Sequence, residues 1–337
     1  MSALHRRDAD VVRLLETILG RNGCSPHVAS ILAENCVRAQ RDGSTSHGVF
    51  RVKDYVSTLR SGWVDGAAEP VVEDAAPGVV RVDGRNGFAP VALAQARGPA
   101  VRKAREQGIV LVAIRNSHHL GALGLDVEPF AAEGLVALSV VNSMAVVAAP
   151  GTARPVYGTN PLAFAAPQAD GPPLVIDLAA SAMAHGDVRV HAAEGRPVPV
   201  GTGVDPEGRP TTDAAAILDG GALLPFGGHK GTALALMVEV LCAALVGGQF
   251  SHEVDWSTHP GARSPRTGQT LILIDPTAGA ERLPVFADRV GHMVRTARGT
   301  GQAHLPGDRR LAHRAASPGG GVTLSEAEWA ELETLTS

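Results

Sequence analysis

The chain has 337 residues, 45% apolar and 19% charged, so burial can offset chain entropy and global disorder is excluded; the length suits two domains or one with a large insertion. Thirty basic against 34 acidic residues give a net charge of -4, and aromatics reach only 4%. Nucleic acid is thereby excluded as the main partner, because counterion release needs a basic face and single-strand binding needs stacking platforms.

Cys24, Cys36 and Cys242 lack the close pairing of a zinc site and are too few for a disulfide scaffold, so a reducing compartment is expected. The opening MSALHRRDADVV has no apolar signal region. The best apolar runs, residues 135–149 and 232–246, are short and interrupted by Asn142 and Glu239. The expectation is a cytoplasmic protein with no membrane partner.

In chain order, residues 11–18 are periodic at helical spacing, and Ser25-Pro26 followed by Val28, Ile31, Leu32, Cys36 and Val37 reads as an N-cap, a proline at N1 and a helix. From Val79 onward the runs VVRVD, IVLVAI, LVALSVV, LVIDLA and LILID are short, β-branched and bounded by Gly, Pro and Asn. Helical stretches at 90–107, 127–133 and 231–246 alternate with them, which predicts α/β layers. Residues 194–219 read as a long surface excursion, 283–298 and 324–335 as helices, and the PGGG run at 318–321 as a turn or linker. The two helical ends are expected to pack together, giving a helical domain from residues 1–75 plus 285–337 around a central α/β domain, residues 76–284.

No G-x-G-x-x-G follows a first strand, and there is no Walker loop or H-E-x-x-H, so a dehydrogenase here requires a cofactor fold other than the Rossmann type. Polar clusters break the apolar texture at Ser46-His47-Gly48 with Arg51, Asn116 to His119, Gly158 to Pro161, His185-Gly186-Asp187, Gly228 to Gly231 and Pro306 to Arg310. Asn116 to His119 and Asn142-Ser143 each follow a strand, where open α/β sheets place ligands. Each cluster has a plain structural reading: His47 as a turn residue, Lys230 as a solvated helix end, and Arg309-Arg310 as a surface pair. His118-His119 could ligate metal, yet adjacent strand residues point oppositely and no carboxylate lies at helical spacing.

Together these segments resemble the malate/L-lactate dehydrogenase family of the second type, which is unrelated to Rossmann dehydrogenases. The resemblance spans nearly the whole chain through RDGSTSHGVFRVKDYV (41–56), NSHHLGA (116–122), GTNPLAFAAP (158–167), IDLAAS (176–181), PTTD (210–213), GGHKGTALALMVEVL (227–241) and HLPGDRR (304–310). Most of that family carries Lys where AMAHGDV (182–188) has Asp187, and this substitution is similar to the branch of NADPH-dependent Δ1-piperideine-2-carboxylate/Δ1-pyrroline-2-carboxylate reductases.

The resemblance implies a non-Rossmann NADPH-binding α/β domain, no metal, a homodimer, and reduction of cyclic imino acids to L-pipecolate and L-proline. It also implies a Ser46–His47–Asp187 relay with His47 as proton donor. A carboxylate beside the ring would raise its pKa and keep the donor charged. Arg51 lies four residues past His47, so on one helix both share a face and the guanidinium can hold the substrate carboxylate; Thr159 matches a second substrate contact.

The cofactor-contact segments implied by the resemblance are His119, Leu120, Gly121, Ala122 and Leu123; Asp177, Leu178 and Ala179; His185 and Gly186; His229 and Lys230; and His304, Leu305, Pro306, Gly307, Asp308, Arg309 and Arg310. Two guanidinium groups beside backbone amides suit the 2′-phosphate of NADP. In one departure, residues 120–125 are Gly-containing, as in the wider family, where close relatives carry bulkier side chains.

The nearest alternative is a 2-keto acid reductase of the same family with His119 as acid/base. A metal-dependent hydrolase built on the thirteen histidines lacks any recognisable ligand spacing, and a non-catalytic nucleotide-binding module would keep the cofactor contacts with an idle relay.

Overall fold

The computed structural model describes residues 3–302, 304–317, 319 and 321–336. A short strand, β1 (Ala3–Arg7), leads into α1 (Asp8–Arg21) and α2 (Pro26–Arg41). The Ser25 hydroxyl accepts from the Val28 amide at 3.3 Å and caps α2. Two 3₁₀ turns, Thr45–His47 and Val49–Arg51, precede α3 (Val52–Arg60).

Strands and helices then alternate: β2 (Val71–Ala76), β3 (Val79–Phe88), α4 (Ala89–Gln107), β4 (Ile109–His118), α5 (Gly124–Ala132), β5 (Val136–Val141), β6 (Val147–Ala148), β7 (Pro155–Tyr157), β8 (Pro161–Ala166) and β9 (Leu174–Ala179). Next come α6 (His185–Ala193), β10 (Gly203–Val204), β11 (Pro210–Thr211), α7 (Ala214–Leu218), β12 (Ala222–Leu223), α8 (His229–Glu239) and β13 (Arg266–Ile274). The chain closes with α9 (Phe286–Gly299), α10 (Asp308–Ala315), β14 (Gly321–Ser325) and α11 (Glu326–Thr334).

The main sheet has the order β2-β3-β4-β13-β5-β8-β9. β3 and β4 are parallel, as their α4 crossover demands, while β13 enters antiparallel between β4 and β5. Val80, Val82, Val112, Ile114 and Leu271 pack against Ala92, Ala96, Ala100 and Ala104 of α4 and against Val127 and Phe130. The alanines recur every four residues, a small-residue stripe that lets α4 lie close on the sheet.

A second core gathers the ends of the chain: Val11, Leu15 and Ile18 meet Leu32, Val52 and Tyr55, and also Val322, Leu324 and Leu332. Full burial of each such side chain contributes about 1.5–3 kcal/mol. A small sheet, β11-β10-β12-β6-β7, and a third core of Val147, Val188, Val198, Ile217 and Leu223 complete the fold.

Three expectations change. The helix expected at 324–335 starts two residues later, as α11, because residues 321–325 form a strand paired antiparallel to β1 with Leu4 opposite Leu324, in which short segments from the two ends satisfy each other's backbone groups. Residues 194–219 form strands, a short helix and a buried cluster rather than a bare excursion. The helix expected at 283–298 forms as α9, but it leans on the β8–β9 turn, where the Ala169 amide donates to the Ala287 carbonyl (3.2 Å) and Arg295 pairs with Asp170 (2.7 Å). Within the PGGG turn, Pro318 and Gly320 lie outside the described residues.

Candidate active site

A cavity of about 560 Å³ opens where the two 3₁₀ turns meet the β4–α5 loop, the β7–β8 loop, the end of β9 and the starts of α6 and α10. Ser46, His47, Arg51, Thr159 and Asp187 all lie on its wall. His47 and Arg51 do not share a helix, because Gly48 (φ -85°, ψ -139°) breaks the chain into separate turns. Gln40 of α2 causes the break: its side-chain oxygen Oε1 accepts from the Val49 amide (3.2 Å), and a Cβ at Gly48 would collide with that oxygen.

The Ser46 hydroxyl lies 3.1 Å from Nδ1 of His47. With the hydroxyl donating, the ring proton sits on Nε2. Burial, with the Arg51 and His119 charges behind it, pushes the His47 imidazole down to about 3. This reverses the expected rise. Among the described residues the Asp187 side chain makes no hydrogen bond or ion pair, to His47 or elsewhere, so the positive groups govern the ring.

Arg51 is buried and donates from Nη1 to Asp54 at 3.0 Å, while its buried Nε has no hydrogen-bond partner among the described residues. Its Nη2 rests against Gly186, where a Cβ would come within 2.6 Å. Glycine is required there by close approach. His185, one residue earlier, is pushed down to about 4 by burial and by Arg51 and Arg189.

Of the expected cofactor segments, Gly121, Ala122, Leu123, Asp177, Leu178, Ala179, His185, Gly186, Gly307, Arg309 and Arg310 line the cavity. Burial pushes the Asp177 carboxyl above its ordinary range, against the Gly124 amide that donates to it at 2.7 Å. Gly307 adopts φ +88°, and a Cβ there would meet the Val175 carbonyl oxygen at 3.0 Å. Among the described residues, the buried Nε and Nη2 of Arg310 have no hydrogen-bond partners; Nη2 stands 3.5 Å from Glu128, an ion-pair distance only.

The other cofactor residues do not line the cavity. His119 is buried with Nε2 2.8 Å from Asp126, and Leu120 packs into the core of the chain ends. His229 and Lys230 open α8, whose Gly231 is pressed against the Phe226 and Ala180 carbonyls behind the wall. Leu305 donates its amide to Asp308 (2.9 Å) and Asp308 pairs with Arg298 (2.6 Å), contacts that shape the turn. His304 and Pro306 are exposed beside it.

Several site residues carry no signal in the sequence. Asp42 and His313 line the cavity, and Arg314 joins Asp42 to Glu128, tying α10 to the segments on either side of the site. Burial raises the Glu128 carboxyl, but Arg314 and Arg310 outweigh it and hold the group below its ordinary range. Beneath the β7–β8 loop, the buried Glu239 carboxylate accepts from Asn160 Nδ2 (2.8 Å), Asn142 Nδ2 (3.3 Å) and the Ser251 amide (3.0 Å), so it fixes the loop that carries Thr159. Asn142 is therefore structural. Asn116 likewise spends its amide on Asp83 (3.1 Å). Among the described residues no three metal-ligating side chains come together.

Residues 7–333 match the malate/L-lactate dehydrogenase family. The chain belongs to that family. It is 57% identical over 325 residues, covering 96% of this chain and 94% of the relative, to a Δ1-pyrroline-2-carboxylate/Δ1-piperideine-2-carboxylate reductase of Pseudomonas syringae pv. tomato. A (2R)-3-sulfolactate dehydrogenase (NADP(+)) of Chromohalobacter salexigens is 38% identical, with 93% of this chain and 92% of that one covered. The crystal structure of the Δ1-piperideine-2-carboxylate reductase from Pseudomonas syringae superposes with a TM-score of 0.95 at 56% identity, covering 98% of this chain and 99% of that one. The family relationship makes the chain an oxidoreductase of a pyridine-nucleotide-dependent family.

Proposed function

We propose that this protein reduces Δ1-piperideine-2-carboxylate and Δ1-pyrroline-2-carboxylate to L-pipecolate and L-proline, with NADPH as the cofactor. The observation that carries the reading is one cavity whose wall brings together His47, Arg51 beside it, and Arg310 at the start of α10. The reductase name of the 57% identical relative agrees with it.

The residues present fit the cofactor. Arg309, Arg310 and the first turn of α10 offer two guanidinium groups and a helix N-terminus to a phosphate, which favours NADPH over NADH. When bound, NADPH supplies the hydride for the imine carbon. Arg51 and Thr159 hold the substrate carboxylate, whose charge offsets the Arg51 contribution to the depression of His47, burial being the larger cause, and so favours uptake of a proton by the ring. His47 then delivers that proton from Nε2 to the ring nitrogen of the substrate, a step typically worth about 10²–10⁴ in rate. Ser46 orients the imidazole through Nδ1, and Asp187, on the same cavity wall but without contact to the ring, would support the imidazolium only once the substrate is bound.

We further read the assembly as a homodimer, since Leu236, Met237, Val240 and Leu245 form an exposed apolar face along α8 and beyond. A single-chain mass in light scattering would contradict this. The division into residues 1–75 plus 285–337 and residues 76–284, and a cytoplasmic location, belong to the same proposal. Burial pushes up all three free thiols, as suits cysteines held reduced in a core.

The test is NADPH oxidation followed by absorbance with each cyclic imino acid and, in parallel, with open-chain 2-keto acids. Turnover of the imino acids at a kcat/KM well above the keto acids supports the reading. The reverse order replaces it with the 2-keto acid reductase.

A further inference from the structure

Asp54 lies one turn beyond the site turns, in the first turn of α3, and its side chain is only 4% exposed. Its carboxylate is shared by two guanidinium groups. Oδ2 accepts from Arg51 Nη1 (3.0 Å) and from Arg189 Nη1 (2.7 Å), while Oδ1 accepts from Arg189 Nη2 (3.0 Å). Burial raises the carboxyl, yet Arg189 and Arg51 outweigh it and hold the group below the usual carboxylate range. Arg189 belongs to α6, two residues past Asp187, and also covers the Phe50 ring at 5.3 Å.

We propose that Asp54 is a positioning residue for the reduction, holding Arg51 in the orientation that reads the substrate carboxylate and bolting α6, with Asp187, to the same point. The proposal rests on the reading of Arg51 given above. One edge of the Arg51 guanidinium is spent on Asp54 and Nη2 is packed on Gly186, so these two neighbours fix the plane that the guanidinium presents at the cavity wall. Without Asp54 the guanidiniums repel each other with no counterion between them, and both Arg51 and α6 lose their anchor. Asp54 itself does not line the cavity, so its effect passes through Arg51 and Arg189.

The test is a double-mutant cycle on the full-length enzyme with a cyclic imino acid and NADPH. Arg51→Lys and Asp54→Asn should each raise the substrate KM about tenfold or more, with the NADPH dissociation constant within about twofold of wild type. The double variant should have a KM no worse than Arg51→Lys alone, and Asp54→Glu, which restores the charge, should recover part of the loss. If the two KM effects multiply, or if Asp54→Asn leaves KM unchanged while Arg51→Lys raises it, the inference is overturned. An unchanged KM in Arg51→Lys would instead sink the reading of Arg51 itself. Should Asp54→Asn fail to fold, Arg189→Met decides: it keeps the Arg51–Asp54 pair, so KM should hold while kcat falls about tenfold through α6, and wild-type values for both would overturn the coupling.

Discussion

His119 Nε2 stands 2.8 Å from Asp126 Oδ2, and both side chains are almost fully buried. Gln269 donates to the same carboxylate oxygen at 2.8 Å. The histidine that a 2-keto acid reductase would use as its acid is thus tied into a polar cluster behind the cavity wall. Asp126→Ala strands the His119 and Gln269 donors, and should lower stability by about 1–3 kcal/mol. A urea midpoint equal to wild type would show that the cluster contributes nothing.

Cofactor choice follows from α10. Arg310→Leu removes the guanidinium with unspent donors and should weaken NADPH binding by roughly ten- to a hundredfold while leaving NADH nearly unchanged. Fluorescence titration of both cofactors measures this directly. An equal loss for both cofactors would mean that Arg310 supports the fold of the turn and does not read the 2′-phosphate.

Asp187→Asn tests the relay without emptying the site. The protein should fold, and kcat should fall by about 10²-fold if the proton donor depends on that carboxylate. Removing a negative charge lowers the imidazole pKa, so the alkaline limb of kcat should move to lower pH, with NADPH affinity little changed. An unmoved limb would detach Asp187 from the proton.

Acid should destabilise the fold before ordinary carboxylates titrate. His47 and His118 are pushed down to about 3 and His185 to about 4, in each case chiefly by burial. Between those values and the unfolded value near ~6.5, the unfolded chain binds more protons, so stability is full above that window and is lost as pH falls through it. Each ring contributes a slope of up to about 1.4 kcal/mol per pH unit. Urea midpoints should therefore drop between neutral pH and pH ~5; a flat profile would place these rings in water.

Strands β3, β4, β5, β9 and β13 of the main sheet are readable as β-branched runs between Gly, Pro and Asn, whereas β2 (VVEDAA) and β8 (PLAFAA) lack such a run; α2 is readable because Ser25 and Pro26 mark its start. β1 and β14 escape notice because each is short and its partner lies at the opposite end of the chain. The SHG segment, Arg51 and the Pro-Gly-Asp-Arg-Arg turn stand out by residue type, and all three reach one cavity. What remains hidden is pairing: nothing in the sequence joins Asp54 to Arg189, Arg314 to Asp42, or Glu239 to Asn160. These contacts bring together residues from separate elements. The pairing of His119 with Asp126 is also set by tertiary packing.

The identity of the proton donor decides between imine reduction and keto acid reduction, and kcat for a cyclic imino acid in His47→Ala and His119→Ala, with NADPH binding confirmed in each, measures it. The account predicts that His47→Ala loses about 10²–10⁴ in kcat, while His119→Ala keeps most of its turnover at some cost in stability. Loss of turnover in His119→Ala, with His47→Ala near wild type, would contradict it.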